Sequence, residues 1–300
     1  MQIARTEVNG VLTYGILQPD GLLYDLPRML RTVREMRSQV GDNPKSMLET
    51  AMGGSRLTEA FLDAKRELEG HGLLSRFTLP SDARLLAPVP RPNRILAIGR
   101  NYAEHAKEQG AKVFEEPIVF LKASTSVIGH EAAIEIPSWI GRVDFESELL
   151  VVLGKGGQNV REEDAMSLVA GYTVFNDVTA REQQRAAQER KHPWFLSKSL
   201  DTFGPMGPYL VTADEVPDPH ALRITCKVNG EVKQDDSTAS MVFSIPTLIA
   251  FLSKWFALEA GDVIATGTPS GISPIVPGDV VECEVEGIGL LRNPVVAAAD

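Results

Sequence analysis

The stretch "VDFESELLVVLGK", residues 143–155, places three acidic side chains at alternate positions directly ahead of an apolar run. On an extended strand Asp144, Glu146 and Glu148 all point to one side, because strand side chains alternate with a period of two. Residues 149–153 are all apolar, which is typical of a strand covered on both faces. The stretch therefore predicts a core strand with an acidic beginning.

Carboxylates beside a core need a partner, because buried ions lose their hydration and like charges repel. A second buried-looking strand, residues 170–177, ends at Asp177 just before a predicted helix. If Glu146, Glu148 and Asp177 converge, they form an all-oxygen site that favours Mg²⁺ or Mn²⁺, with Ca²⁺ also allowed, over zinc. Two alternatives stay open: the acidic stretch is a solvated strand face, and Asp177 is a helix N-cap.

Composition excludes several classes of function. The chain has 300 residues, a formal net charge of −10 and 6% aromatic residues. It contains no basic block, so a nucleic-acid surface is not expected. The histidines are scattered and no HExxH or Cys/His ligand spacing occurs, so a zinc site of the usual kind is not expected either.

The sequence also suggests where the protein works. No apolar run approaches the roughly 20 residues that span a bilayer, and the first ten residues have no apolar core of a secretory signal. Cys226 and Cys283 both lie in strand-like stretches and could pair. A chain with two cysteines and no signal is nevertheless expected to be reduced and cytoplasmic.

The chain is expected to divide near residue 80. Residues 1–80 resemble a small α+β module, beginning with a hairpin around Asn9-Gly10. Residues 81–94 contain several prolines and read as a stiff connector. From residue 95 to 300, clustered short strands with inserted helices predict an α+β fold that is mainly antiparallel.

Several polar side chains outside the acidic stretch have two interpretations. His105 and Glu108 are three residues apart on a predicted short helix and so share a face, although on this evidence alone a charged surface helix explains them better. Arg181 and Gln184 share a face of the helix after Asp177, and Arg181 could instead pair with an acidic neighbour. Two interpretations also remain for Lys122, Lys198 and Thr268. The lysines suit either an anionic site or exposure to solvent. Thr268 lies in a Gly/Pro turn, which either binds a carboxylate or is an ordinary turn.

Seven motifs occur in an order that resembles the fumarylacetoacetate hydrolase family, in its acylpyruvase and oxaloacetate decarboxylase-like branch. They are "GRNYAEHAKE", "PIVFLKASTSVIG", "VDFESELLVVLGK", "GYTVFNDVTARE", "PWFLSKSLDTFGPMGPYLV", "VNGEVKQDDSTASMVFSIPTLIAFLS" and "LEAGDVIATGTPSGI", and the resemblance covers residues 95–295. The resemblance implies a strand-rich β roll or sandwich, usually a homodimer. It also implies Mg²⁺ or Mn²⁺ bound by Glu146, Glu148 and Asp177. Residues 1–80 match less clearly.

The resemblance also implies roles for the other candidates. His105 would be the general base acting on water, Glu108 would hold its tautomer, and both would lie on a mobile lid with hinges at Gly99 and Gly110. Lys198 would be catalytic. The expected substrate-binding residues are Lys122, Arg181, Gln184 and Thr268.

The activity implied is hydrolysis of a carbon–carbon bond in a 2,4-dioxo acid, of the acylpyruvate or fumarylpyruvate type met in aromatic catabolism, through a metal-bound enolate. An oxaloacetate decarboxylase or an enol–keto or hydroxydienoate isomerase would use the same scaffold. A different class of protein, whose carboxylates and cation only stabilise the fold or a binding surface, stays open as well.

Overall fold

The computed structural model describes residues 1–36, 54–108 and 115–299. Seven α-helices lie in these ranges. They are α1 (Leu26–Met36), α2 (Gly54–Gly70), α3 (Ala103–Glu108), α4 (Glu162–Ala165), α5 (Arg181–Glu189), α6 (Phe195–Lys198) and α7 (Ile245–Trp255).

Strands dominate the described part of the chain. The first ten are β1 (Gln2–Val8), β2 (Val11–Leu17), β3 (Leu23–Asp25), β4 (Arg84–Leu86), β5 (Ile95–Gly99), β6 (Ile118–Lys122), β7 (Val127–Ile128), β8 (Ile134–Ile136), β9 (Val143–Asp144) and β10 (Ser147–Leu153). The others are β11 (Val169–Asn176), β12 (Thr179–Ala180), β13 (Gly204–Thr212), β14 (Arg223–Val228), β15 (Glu231–Ser237), β16 (Val263–Ala265), β17 (Pro274–Ile275), β18 (Val280–Val285) and β19 (Gly289–Ala297).

The strands form three sheets. The largest has the order β3-β2-β1-β13-β11-β10-β16-β5-β6, with β4 beside β1 and β7 beside β13. A five-stranded sheet has the order β15-β14-β18-β19-β8, and a small one has the order β12-β9-β17. Only the pairs β13–β7, β16–β5 and β19–β8 are parallel among the described strands. The fold is therefore α+β and mainly antiparallel, as the sequence predicts.

The centre of the large sheet is buried on both faces. Every residue of β10 and of β11 is buried. Leu149 and Val151 belong to one hydrophobic cluster, whereas Leu150 and Val152 belong to a second cluster on the other side. The unbroken apolar run therefore predicted correctly a strand covered on both faces.

The acidic part of that stretch is not one continuous strand. The chain leaves the sheet between β9 and β10, at Phe145 and Glu146. The backbone N–H of Glu146 donates to the side-chain oxygen of Asn176 (2.9 Å), and its carbonyl accepts from the N–H of Asp177 (2.8 Å). The prediction that three acidic residues face one way along a single strand is thus wrong, because this break separates Asp144 from the other two.

The N-terminal residues continue the large sheet. The predicted hairpin is present: Val8 pairs with Val11, and Asn9 and Gly10 both have positive φ, the geometry of a two-residue type I′ turn. Strand β1 pairs with β13, and β4, inside the proline-rich stretch, pairs with β1. The domain boundaries stay a prediction, but these pairs join the two predicted regions in one sheet.

The two cysteines face each other in the five-stranded sheet. Cys226 on β14 is paired in register with Cys283 on β18. Both are buried free thiols with sulfur atoms 3.8 Å apart. Among the helices of the described ranges, none has the length and hydropathy to cross a bilayer.

Candidate metal centre and active site

The antiparallel pairing of β10 with β11 brings the acidic residues together. Ser147 pairs with Asn176 in this register, so Glu146 and Asp177 meet just beyond the ends of the two strands. Glu148 lies two residues further along β10, and its Oε2 accepts the N–H of Gly267 at 2.8 Å. Three carboxylates from two neighbouring strands thus reach one point of the fold.

These carboxylates form a compact buried cluster. One carboxylate oxygen from each of Glu146, Glu148 and Asp177 lies within 4.8 Å of the other two. The residues are 5%, 2% and 1% exposed. Three hard oxygen ligands at this separation could hold a single divalent cation.

Two lysines compensate part of the negative charge. The Nζ of Lys198 lies 2.7 Å from Oε2 of Glu146 and 2.5 Å from Oδ2 of Asp177. The Nζ of Lys122 lies 2.6 Å from Oδ1 of Asp177 and donates to the carbonyl of Val178. Both ammonium groups are buried, so a cation-free cluster is partly neutralised by the protein itself.

The remaining contacts fit a metal ion. Oδ1 of Asp177 is within ion-pair distance of Lys122 but has no hydrogen bond, although it is buried. Glu148 forms no ion pair with any lysine or arginine in the described ranges, and its closest acidic neighbours are Asp177 and Glu146. A buried carboxylate without a cationic partner is costly, and a divalent ion would remove that cost.

The pKa values of the cluster move in opposite directions. Burial, followed by repulsion from Asp177 and Glu146, raises the pKa of Glu148 well above its usual range. Burial also pushes the pKa of Glu146 upward, but Lys198 and Arg181 more than offset it, and that pKa lies below the usual range. The compensating positive charge of Lys198 and Arg181 therefore acts mainly on Glu146, and ionisation of Glu148 is much less favoured.

Asp144 belongs to an ion-pair network and not to the cluster. Its carboxylate accepts from Nε of Arg142 and from Nε of Arg181, each at 2.7 Å. Arg181 also donates to Oε1 of Glu146 (2.5 Å) and to Oε1 of Gln184 (2.6 Å). Arg181 therefore holds Glu146 and Gln184 in place, the structural role that its sequence position left open.

A small cavity of about 20 Å³ opens onto the cluster. It is lined by the three carboxylates together with His105, Gln184, Lys198 and Thr268, and also by Arg100, Phe120 and Trp194. His105 is on α3 and is only 3% exposed. The structure thus brings most of the predicted site residues to one place. Lys122 and Arg181 contact the carboxylates from behind.

The predicted lid lies partly outside the described residues. Glu108 is the last residue of α3, but its side chain and Gly110 are outside the described ranges. Gly99 ends β5, and a Cβ there would lie 2.8 Å from a ring atom of Trp194. Close packing against this ring is therefore sufficient to explain the glycine. The lid and its hinges stay a prediction.

Sequence reasoning missed two buried amides that hold the turn carrying Thr268. Asn101 donates to the carbonyls of Thr266 and Phe243. Gln234 on β15 accepts the N–H of Ser147, between the two glutamates, and donates to Oγ1 of Thr268 (2.8 Å) and to the carbonyl of Pro269 (2.7 Å). Both amides lie in the motifs quoted above, which was the only signal for them.

The contacts of Gln234 determine how Thr268 can act. A backbone N–H and a backbone carbonyl contact opposite ends of the amide, so its orientation is unambiguous. Its NH₂ group only donates, so Oγ1 of Thr268 must accept. The hydroxyl proton of Thr268 is then directed elsewhere and can serve a ligand in the cavity that this residue lines.

Gln234→Met is expected to destabilise the fold and weaken ligand binding together. The side chain is 1% exposed, and its loss leaves Ser147 N–H and Pro269 C=O without partners. An unsatisfied buried group costs about 1–3 kcal/mol. Urea unfolding would show this loss, and KM would rise more than kcat falls. The control is Gln18→Met, which removes only the side-chain contacts with Lys65 and with the carbonyl of Leu17. Wild-type stability in Gln234→Met would contradict the assigned role.

The fold and the carboxylate cluster define the class to which the chain belongs: strand-rich proteins with a buried carboxylate cluster, able to hold a metal ion, beside a histidine and a lysine. The chain belongs to the fumarylacetoacetate hydrolase family. The family model described as fumarylacetoacetate (FAA) hydrolase C-terminal matches residues 94–296.

Relatives of this chain are named for different activities. The mitochondrial oxaloacetate tautomerase fahd2 of Xenopus laevis is 42% identical over 259 residues, which is 84% of this chain and 78% of that protein. A maleylpyruvate hydrolase from Sphingobium sp. SYK-6, solved with manganese (II) and pyruvate, is 29% identical with a TM-score of 0.78 over the whole of both chains. The 2-hydroxyhepta-2,4-diene-1,7-dioate isomerase of Mycobacterium marinum is 28% identical, with a TM-score of 0.75 and the same full coverage.

Proposed function

We propose that this protein is a metal-dependent enzyme that transfers a proton at C3 of a 2-oxo acid, and that keto–enol tautomerisation of an oxaloacetate-like substrate is its activity. The observation that carries the proposal is the shared cavity: His105, Lys198 and the three carboxylates line the same buried space. The tautomerase relative, 42% identical over most of the chain, supports this choice among the activities known in the family.

Glu146, Glu148 and Asp177 would hold the cation, and Mg²⁺ or Mn²⁺ suits three carboxylates best, with Ca²⁺ also allowed. When bound, the ion supplies a Lewis acid that polarises the 2-oxo group and makes the C3 hydrogens more acidic. The manganese in the structure of the Sphingobium hydrolase supports Mn²⁺ as the first ion to test.

The chain's own residues supply the rest of the chemistry. In a keto-to-enol conversion C3 loses a proton and the oxygen on C2 gains one, so one group that accepts and donates can serve both steps. His105 is suited to this because the two ring nitrogens of an imidazole can accept and donate a proton. Lys198 provides a buried positive charge beside the developing negative charge. Thr268 can donate a hydrogen bond to the substrate carboxylate, and Gln184 lines the same space.

Hydrolysis of a carbon–carbon bond is the second candidate. It is favoured by the full-length match to the maleylpyruvate hydrolase and by the same histidine, which could activate a water. Hydrolysis also needs a water placed beside the substrate, which proton transfer does not. The tautomerase relative, at 42% identity, keeps proton transfer as the first candidate.

A direct comparison of substrates tests the proposal. We expect the Mn²⁺-loaded protein to accelerate the loss of the enol absorbance of oxaloacetate beyond the rate with Mn²⁺ alone, without release of CO₂. EDTA should abolish the acceleration and Mn²⁺ or Mg²⁺ should restore it. Cleavage of acetylpyruvate at a higher kcat/KM would favour the hydrolase. CO₂ release as the main product would favour the decarboxylase.

If none of these substrates reacts and the cation only raises the melting temperature, the centre is structural. The homodimer and a role in aromatic catabolism stay predictions from the sequence resemblance, and the cytoplasmic location stays a prediction from the cysteines and the first ten residues. Light scattering on the purified protein would test the first of them.

A further inference from the structure

A second cavity, which we call the arginine cavity, adjoins the one at the carboxylates. It has a volume of about 290 Å³. Arg100 and Gln184 line both cavities, so the two spaces are neighbours. The complete lining of the arginine cavity is Arg100, Arg142, Asp144, Arg181, Gln184, Arg185, Gln188 and Ile272.

The lining carries an excess of positive charge, with four arginines against the single carboxylate of Asp144. That carboxylate is already shared between Arg142 and Arg181. Arg185, in contrast, forms no ion pair with any residue in the described ranges, although it faces the same space. A concave surface with one sign of charge attracts ligands of the opposite sign.

Helix α5 presents this charge in an ordered way. Residues 181, 184, 185 and 188 follow the spacing that places side chains on one face of a helix. At the start of the face, Arg181 contacts Glu146 and Gln184 lines the cavity at the carboxylates, whereas Arg185 and Gln188 line the arginine cavity and not the one at the carboxylates. The helix therefore connects the centre with a second polar region about one turn away.

The volumes of the two cavities indicate what kind of substrate could extend from one into the other. The space at the carboxylates is about 20 Å³, which suits the reacting atoms and little more. The remainder of any substrate must extend into a neighbouring space, and the arginine cavity shares two lining residues with this one. Its 290 Å³ is at the lower end of the range for ligand pockets and suits a short chain with a charged end.

We propose that the arginine cavity binds a second carboxylate at the far end of the substrate, with Arg185 as its main partner. The inference rests on the proposed function, because it assumes that a 2-oxo acid binds at the metal centre. The proposed oxaloacetate-like substrate is already a 2-oxo diacid, so the inference adds the place where the second carboxylate binds and a specificity-determining residue on α5. An arginine side chain can bind such a carboxylate through two parallel hydrogen bonds.

Binding measurements on the Mn²⁺-loaded protein test this without requiring turnover. The probes are 2-oxoglutarate against 2-oxopentanoate and 2-oxoadipate against 2-oxohexanoate, pairs that differ only in the terminal carboxylate. By titration calorimetry, we expect the wild type to bind at least one diacid roughly 10- to 100-fold more tightly than its monoacid, the range for a charge-assisted hydrogen bond. Arg185→Met should remove most of this preference and leave monoacid affinity unchanged.

The matched control is Arg190→Met, which changes an exposed arginine just beyond the same helix and outside the cavity lining. It should keep the full preference. Melting temperatures of both variants should equal that of wild type, which excludes unfolding as the cause of any loss.

Each contrary result has a distinct meaning. Equal binding of diacid and monoacid by the wild type, or a preference that survives in Arg185→Met, overturns the inference and leaves the proposed function standing. Failure of all four acids to bind in the presence of Mn²⁺ overturns both. If glutarate, which lacks the 2-oxo group, binds as tightly as 2-oxoglutarate with or without Mn²⁺, the cavity is an independent anion site and the inference is wrong.

Discussion

Glu148→Gln is expected to abolish metal binding and to reduce the metal-dependent activity to the rate of the free ion. The substitution keeps the shape of the side chain and the contact with the N–H of Gly267, but it replaces a charged ligand by a neutral amide. Two carboxylates then remain, both in contact with Lys198. Titration with Mn²⁺ measures the loss directly, and the tautomerase assay measures its consequence.

The same variant should not weaken the metal-free fold. Burial and the proximity of Asp177 and Glu146 raise the pKa of Glu148, so the free energy of unfolding falls as pH rises from the ordinary carboxyl pKa to this raised pKa, and it stays lowered above it. A neutral glutamine removes this cost. Thermal unfolding in EDTA should therefore show a melting temperature equal to or above that of wild type, whereas the increase caused by Mn²⁺ should disappear.

The control for this experiment is Glu135→Gln, which removes an exposed carboxylate from β8 and should change neither Mn²⁺ affinity nor activity. Wild-type Mn²⁺ affinity in Glu148→Gln would show that the ion, if bound, is held elsewhere. The assignment of the centre would then fail.

Local patterns in the sequence were sufficient for the frame of the fold. The apolar run after the acidic residues predicts a strand buried on both faces, because a strand with one solvated face would alternate. Asn9-Gly10 predicts the hairpin, because both residues tolerate the positive φ of its turn. In each case the determining interactions lie within about ten residues of the chain, so a short sequence pattern is sufficient to predict the element.

The candidate metal centre could be predicted only in part from local sequence patterns. The spacing of Glu146 and Glu148 is local, but Asp177 joins them only through the register of β10 against β11. Register depends on the whole pairing and is not written in either strand alone. The family resemblance supplied this pairing before the structure did.

Sequence could not predict what depends on remote side-chain partners. The break at Phe145 and Glu146 is held by the side chain of Asn176, and Asp144 is diverted to Arg181, 37 residues away. Gln234 donates a hydrogen bond to Thr268, which lies in a different segment of the chain, and the residues that line the arginine cavity come from positions between 100 and 272. Such contacts follow from tertiary packing, for which no periodicity or local motif exists.

The second large effect on activity is expected from substitution of His105, which lines the same cavity as the three carboxylates. His105→Ala should lower the tautomerase rate by roughly 10²–10⁴, the range for loss of a positioned general base. Affinity for Mn²⁺ should be unchanged, because none of the three carboxylate ligands is altered. This separates the variant from Glu148→Gln, in which binding and activity are lost together.

Proton removal can be observed apart from the complete reaction. In D₂O, the Mn²⁺-loaded wild type should exchange the C3 hydrogens of pyruvate for deuterium, which NMR detects, and His105→Ala should not accelerate this exchange above the free-ion rate. Added imidazole should restore part of the exchange in the variant if the alanine leaves room for it. His71→Ala, an exposed histidine outside the cavity, is the matched control and should behave as wild type. Undiminished exchange in His105→Ala would assign the base to another residue. Lys198 would then be the next side chain to test, because it lines the same cavity and contacts two of the carboxylates.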